Sequence, residues 1–308
     1  MSARILVIKL GALGDFVQAF GPFAAIRAHH PGAEITLLTT PPFTELARRS
    51  PWFDRVWDHG RPRGADWRRR LALLTTLTRE RFDRVYDLQT SPRSSRYRLL
   101  VGRRAEWSGV AHGASHPHAN PDRNAMHTVD RQREQLRSAG IDRFPSPDLS
   151  WLEADLSGLS LPPRFALLIP GASPSRPGKR WPGFGALAAA LSAAGLPSVV
   201  AGGPGEAPLA AEILAAAPGA IDLTGRTSLF QLAALARRAA VVVGNDTGPT
   251  HLSAAAGSPT LALFGEESDP ARCAPRGAEV SVMRREPIAA LTPAEVAAEA
   301  LRLAALPG

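Results

Sequence analysis

The sequence predicts an α/β protein of two doubly wound domains, each a parallel sheet with helices on both faces. Three observations carry this expectation. The 308 residues exceed what one hydrophobic core usually supports, so two domains of roughly 150 residues each are the default. Short apolar runs alternate with segments of helical period, the pattern of buried parallel strands joined by crossover helices. The alternation occurs twice, interrupted at residues 141–163 by a Pro-, Ser- and Asp-rich stretch of weak periodicity.

In the first series, residues 4–10 form an apolar β run that ends in Gly11-Ala12-Leu13-Gly14-Asp15, after which residues 16–29 have helical spacing. Strands at 34–39 and 83–88 and helices near 43–49 and 67–81 follow. In the second series, strands at 165–169, 198–201, 220–223, 240–243 and 260–264 alternate with helices such as 184–194 and 229–238. Thr292 as N-cap, Pro293 at the first helical position and Glu295 completing a capping box open a closing helix at about 292–306. The domains are placed at 1–155 and 156–308, with the last helix able to pack back on the first domain. Two such domains facing one another make a central cleft at the carboxyl ends of their strands, where sheets of this kind bind ligands.

Composition excludes several classes. No apolar run approaches the ~18 residues of a membrane span. The start lacks a signal-peptide apolar region and cleavage site, which points to the cytoplasm. One cysteine, Cys273, rules out an internal disulfide framework or a Cys-based zinc site, and reads as an incidental thiol. The net charge of +8 is uneven: residues 1–150 hold 24 Lys/Arg against 15 Asp/Glu (+9), the remainder 12 against 13 (−1). A compositional bias would affect both halves alike, so the first half is expected to meet an anionic partner such as a phosphorylated glycolipid or a membrane surface. Nucleic acid is not expected, since zinc-finger spacing and aromatic RNA-binding signatures are missing.

The unusual residues gather in strand-to-helix loops. The first loop places Asp15 at a helix start, where an N-cap is its plainest role. It has neither the G-x-G-x-x-G spacing of a dinucleotide site nor the Gly-Lys-Ser/Thr of a P-loop. The second domain opens with Pro170-Gly171-Ala172-Ser173 after its first strand, then Lys179-Arg180-Trp181-Pro182; glycine admits close backbone approach and adjacent cations can balance a pyrophosphate. The run Gly244-Asn245-Asp246-Thr247-Gly248-Pro249-Thr250-His251 between a strand and a small-residue helix offers N–H groups and hydroxyls to a phosphate.

On these residues, from Gly244 to Leu252 with Pro259 and Phe264-Gly265, supported by Lys9 to Asp15 and Lys179 to Pro182, the chain resembles glycosyltransferase family 9, the ADP-heptose:lipopolysaccharide heptosyltransferases. The resemblance spans nearly the whole length. It implies the GT-B fold of two Rossmann-like domains, an N-terminal domain for the acceptor and a C-terminal one for the nucleotide sugar. It implies an inverting, metal-independent transfer with no cofactor, from ADP-heptose to the Kdo-lipid A region of lipopolysaccharide, with Asp15 as general base and Lys179 stabilising the departing ADP. Gly14, Ser173, Arg180, Glu206, Asp246, Thr247, Gly248 and His251 then belong to the donor site. Glu206 equally reads as a helix start and His251 as a structural histidine.

For the acceptor, Arg61, Arg63, Arg93, Arg96 and Arg98 follow strand runs, and they equally read as solvated helix faces. Trp52, Phe53 and Trp67 could add interfacial contact if exposed, and core packing is the role expected of them. The chain departs from the family pattern at Glu266-Glu267, where small residues are usual, which places two extra carboxylates near the donor region. The alternatives are a transferase of the same fold acting with another nucleotide sugar on an O-antigen, capsule or protein, a nucleotide-sugar epimerase, and a non-catalytic nucleotide binder. The expected location is the cytoplasm, with peripheral attachment to the inner membrane.

Overall fold

The computed structural model describes residues 2–306 except 63 and 65. The chain divides into two compact units, Met1–Trp151 and Leu152–Gly308.

The first unit runs β1 (Arg4–Ile8), α1 (Leu13–Val17), α2 (Phe20–His29), β2 (Glu34–Leu38), α3 (Thr44–Arg49), β3 (Arg55–Trp57), α4 (Trp67–Arg79), β4 (Arg84–Asp87), α5 (Pro92–Arg96), α6 (Arg98–Val101), β5 (Glu106–Gly109), β6 (His116–Pro117) and α7 (Thr128–Arg137). Its six strands are parallel in the order β3-β2-β1-β4-β5-β6. The helix expected over 16–29 is two, because the chain breaks step at Gln18 and Ala19. Phe16, Phe20 and Phe23 then join one aromatic cluster with Phe43, Trp52, Phe53 and Trp151. Gly11 lies against that cluster at φ +112°; a Cβ there would sit 2.5 Å from the Phe43 ring. Helix α7 has no counterpart in the predicted elements, and its buried face mixes Val129 and Leu136 with Gln132 and Gln135. Gln135 Nε2 donates to the carbonyls of Asp87 and Ser108, so this polar helix is fastened by hydrogen bonds.

The second unit runs β7 (Ala166–Ile169), α8 (Phe184–Ala193), β8 (Ser198–Val200), α9 (Ala207–Ala216), β9 (Ile221–Asp222), α10 (Leu229–Arg238), β10 (Val241–Asn245), α11 (Gly248–Ala255), β11 (Thr260–Phe264), α12 (Pro270–Cys273), β12 (Val280–Arg284) and α13 (Pro293–Ala304). These strands are also parallel, in the order β12-β11-β10-β7-β8-β9. The edge strand β12 is only partly buried, which is why no apolar run announces it. Thr292 and Glu295 form the capping box of α13, and that helix packs on α8, β10 and β11. The core joins Leu168, Val200, Val243 and Leu263 of the sheet to Leu187, Leu191, Val296 and Leu303 of α8 and α13.

Each sheet is doubly wound in the same way. The chain lays strands outward to one side, then returns to lay β4 beside β1 and β10 beside β7. The loops leaving those central pairs diverge to opposite faces, opening a crevice at the carboxyl ends of β1 and β4 and another at those of β7 and β10.

Leu168 is fully buried in the middle of β7. Leu168→Ala should destabilise the second unit by about 3 kcal/mol, read as a lowered urea midpoint; an unchanged midpoint would place the residue outside the core.

Candidate active site

In the second unit the site is built on Asn245, the buried last residue of β10. Its Oδ1 accepts the Trp181 N–H at 3.1 Å, and its Nδ2 donates to Pro170 O at 2.8 Å and Gly171 O at 3.3 Å. Thr250 Oγ1 closes the set by donating to Asn245 O at 2.7 Å. One side chain thereby fixes the loop after β7, the segment after Lys179 and the start of α11. Gly244 permits this approach, since a Cβ there would lie 2.3 Å from Thr250 Oγ1 and 3.0 Å from Ile169 Cβ.

Asp246 follows, buried, with its carboxylate shared between two partners. Lys179 Nζ lies 2.5 Å from Oδ2, and His251 Nε2 lies 3.1 Å from Oδ1. Burial pushes the carboxyl up, but the His251 hydrogen bond and charge, joined by Lys179, outweigh it and hold Asp246 well below the usual carboxylate range. Cys273, read from sequence as incidental, places Sγ 3.8 Å from Asp246 Oδ2. Thr247 is the N-cap of α11 and Gly248 its first residue, so the free N–H groups of that helix start beside this cluster.

The other predicted donor residues differ in placement. Glu206 Oε2 accepts the Gly203 N–H at 2.7 Å, and its carboxylate lies against Gly171 and Gly202, which puts it at the mouth of the β7 loop. Arg180 reaches Ala172 O, and exposed Ser173 pairs with Ser175. Glu266 and Glu267 are both exposed, and Glu267 Oε1 accepts the Gly178 N–H at 3.1 Å, which ties it to the turn that carries Lys179. Nothing in the residues around Glu267 announces that role, since its partner lies 89 positions away.

In the first unit, Gly14 and Asp15 lie in the short helix α1, directly after the loop that leaves β1. Behind them Lys9 is buried with Nζ donating to Leu88 O at 3.1 Å. Burial lowers its pKa, opposed by the charge of Asp15, with Arg131 lowering and Asp87 raising it further. Asp87 is buried too, and burial pushes its carboxyl up to about 6 against hydrogen bonds from Thr90 N, Ser94 and Gln89 N and the charge of Lys9. Leu10 N donates to Gln89 Oε1 at 2.8 Å, tying the loops after β1 and β4 together. Lys9, Asp87 and Gln89 had no predicted role of their own.

Two cavities adjoin these loops. One of about 590 Å³ is lined by Leu10, Gln89, Arg61, Arg93, Arg96 and Tyr97 among others. A second, of about 500 Å³, meets the Gly11–Leu13 loop, Phe43, Arg61, Asp66 and Arg69. Three of the predicted acceptor arginines, Arg61, Arg93 and Arg96, therefore share one cavity. Arg98 instead donates to Gly113 O, and Arg63 lies outside the described residues. Among the described residues, no group of three or more His, Cys, Asp or Glu side chains is placed to hold a metal ion.

Residues 70–293 match the sequence model of glycosyltransferase family 9 (heptosyltransferase). The chain belongs to glycosyltransferase family 9. It is 28% identical over 292 residues to lipopolysaccharide heptosyltransferase 2 of Escherichia coli K12, covering 86% of this chain and 83% of that protein. Among solved structures, a family 9 glycosyltransferase from Veillonella parvula DSM 2008 superposes with a TM-score of 0.82 at 20% identity, covering 99% of this chain and 98% of that one. The E. coli ADP-heptose lipopolysaccharide heptosyltransferase II superposes with a TM-score of 0.77 at 24% identity, covering 98% of each chain. As a family 9 member with the GT-B fold the chain is a glycosyltransferase, which sets aside the epimerase and the non-catalytic binder. Family membership supports heptose transfer in lipopolysaccharide synthesis at the level of the family.

Asp246→Asn in this family 9 enzyme leaves Lys179 without its anionic partner and should cost about 3 kcal/mol in urea unfolding near neutral pH. The depressed native pKa means that Asp246 contributes its full stability above the ordinary carboxylate pKa of about 4 and loses it as the pH falls below that value. The acid side of the stability profile should therefore be shallower in Asp246→Asn; superimposable profiles would show that the ion pair contributes nothing.

Proposed function

We propose that this enzyme transfers a heptose, with inversion, from ADP-heptose to a phosphorylated Kdo-lipid A type acceptor of the lipopolysaccharide inner core. The observation that carries the reading is the Lys179–Asp246–His251 cluster at the start of α11, on the central crevice of the second sheet, in a chain of family 9. A cation beside a free helix N-terminus suits a pyrophosphate, since both favour negative charge without a metal.

In this mechanism Asp15 takes the proton from the acceptor hydroxyl as its oxygen attacks the anomeric carbon. The bond from that carbon to the β-phosphate oxygen breaks, and the electron pair leaves with ADP. Lys179 and the N–H groups at Thr247 and Gly248 stabilise the charge that develops there. Asp246 meets the donor sugar and keeps Lys179 in place beforehand, His251 orients Asp246, and Arg180, Ser173 and Glu206 complete the donor site. Arg61, Arg93 and Arg96, around the cavity next to the Asp15 loop, receive the anionic acceptor.

Titration calorimetry with ADP-heptose in EDTA, with ADP, UDP and GDP sugars as controls, should show selective ADP-heptose binding; preference for another sugar nucleotide would keep the family and overturn the donor. Asp15→Ala should lower turnover by about 10²-fold or more with donor affinity nearly intact. Lys179→Ala should weaken ADP binding, and equal affinity would remove its role at the pyrophosphate.

A further inference from the structure

Five large apolar side chains are strongly exposed among the described residues, and four belong to two helices that pack on each other: Trp67 (64% exposed), Leu71 (54%) and Leu74 (41%) on α4, and Leu99 (80%) on α6. Of the two roles open to Trp67, core packing is ruled out by its exposure. On α4 the spacing 67, 71, 74 puts the three side chains in one stripe along the helix. The stripe is not the face that packs inward, because Leu73 and Leu77 do that and are buried. Helix α4 therefore has two apolar faces, and the protein uses one.

The charge beside the outer stripe has one sign. Helix α4 carries Arg68, Arg69, Arg70 and Arg79 and no acidic residue. Across residues 61–81 there are seven arginines against Asp66 and Glu80 alone. Both acids are occupied, Asp66 by the Arg69 N–H and guanidinium, Glu80 by Arg4 and Arg55. Helical geometry sets Arg70 on one flank of the stripe and Arg68 and Arg79 on the other. Arg68 also lies over the Trp67 ring at 5.5 Å. A tryptophan-led apolar stripe between arginine flanks fits the interface of an anionic bilayer, where apolar groups enter the acyl boundary and guanidinium groups meet phosphates.

We propose that α4 docks this enzyme on an anionic lipid bilayer, with Trp67, Leu71 and Leu74 entering the interfacial zone and Arg68, Arg70 and Arg79 pairing with lipid phosphates. The same helix lends Leu73 to the larger cavity and Arg69, with its N-cap Asp66, to the smaller. Docking through α4 brings those cavities to the headgroup layer, where a lipid-anchored acceptor is held; this last step rests on the acceptor proposed above.

The test is co-sedimentation of the full chain, without sugar nucleotide, with vesicles of phosphatidylglycerol and phosphatidylethanolamine and with vesicles of phosphatidylcholine alone. Binding should favour the anionic vesicles and fall with salt. The combined variant Trp67→Ser, Leu71→Ser, Leu74→Ser should bind about tenfold or more weakly while binding ADP like the parent. Arg68→Gln and Arg70→Gln should each weaken anionic-vesicle binding by about fivefold. Brominated lipids should quench the parent's tryptophan fluorescence, and Trp67→Phe should remove most of that quenching while still binding. Equal sedimentation with and without vesicles, undiminished binding by the combined variant, or quenching that survives Trp67→Phe would overturn the proposal. So would a dimer in sedimentation equilibrium that the combined variant loses with vesicle binding unchanged, which would assign the stripe to a second copy. Missing vesicle binding counts against α4 docking alone, whereas vesicle binding without heptose transfer counts against the proposed reaction alone.

Discussion

The candidate site of the second unit depends on the hydrogen bonds of one buried amide. Asn245 is fully buried with two kinds of polar group to satisfy, so its partners must lie where its carboxamide can reach them. Those partners are the backbone of the β7 loop and the N–H of Trp181, whose indole is in turn buried and donates to Leu291 O. The turn that carries Lys179 is thereby set beside Asp246. An aspartate here would offer no N–H to the two carbonyls, and a leucine would leave three backbone groups unpaired.

The first unit solves a related problem with a charge. Lys9 is withdrawn from water at the end of β1 and held by a carbonyl and the fields of two carboxylates, one of them Asp15. A buried cation of this kind adds little stability and costs much if its partners are removed, so it fixes geometry more than it strengthens the fold. Both crevices thus hold a lysine facing an aspartate at the carboxyl end of a central strand, although the two arise from unrelated stretches of sequence.

Much of this was legible in the sequence where chemistry and backbone requirement coincide. The apolar strands β1, β7, β10 and β11 stand out because both faces are covered, and the Gly-, Thr- and Asp-rich turn after β10 stands out because no plain connection needs it. What stayed hidden depends on contacts between distant segments. Helix α7 has only a sparse apolar period because Gln132 and Gln135 share its buried side with Val129 and Leu136, and the grip of Glu267 on Gly178 joins residues 89 positions apart. Core or surface for Trp67 is not decided locally, because a tryptophan in a helix of apolar period is ordinarily interior, and only the buried Leu73 and Leu77 show which face the core takes.

Glu206 lies so close to Gly171 that a Cβ at that position would fall 1.6 Å from its Oε1, and one at Gly202 would fall 2.4 Å from Oε2. Three positions separated along the chain thus share one small volume. A side chain gained at 171 or 202 would oblige the flexible Glu206 carboxylate to swing aside, so the cost of such a change falls on the Gly203 N–H that Glu206 now satisfies and not on the backbone.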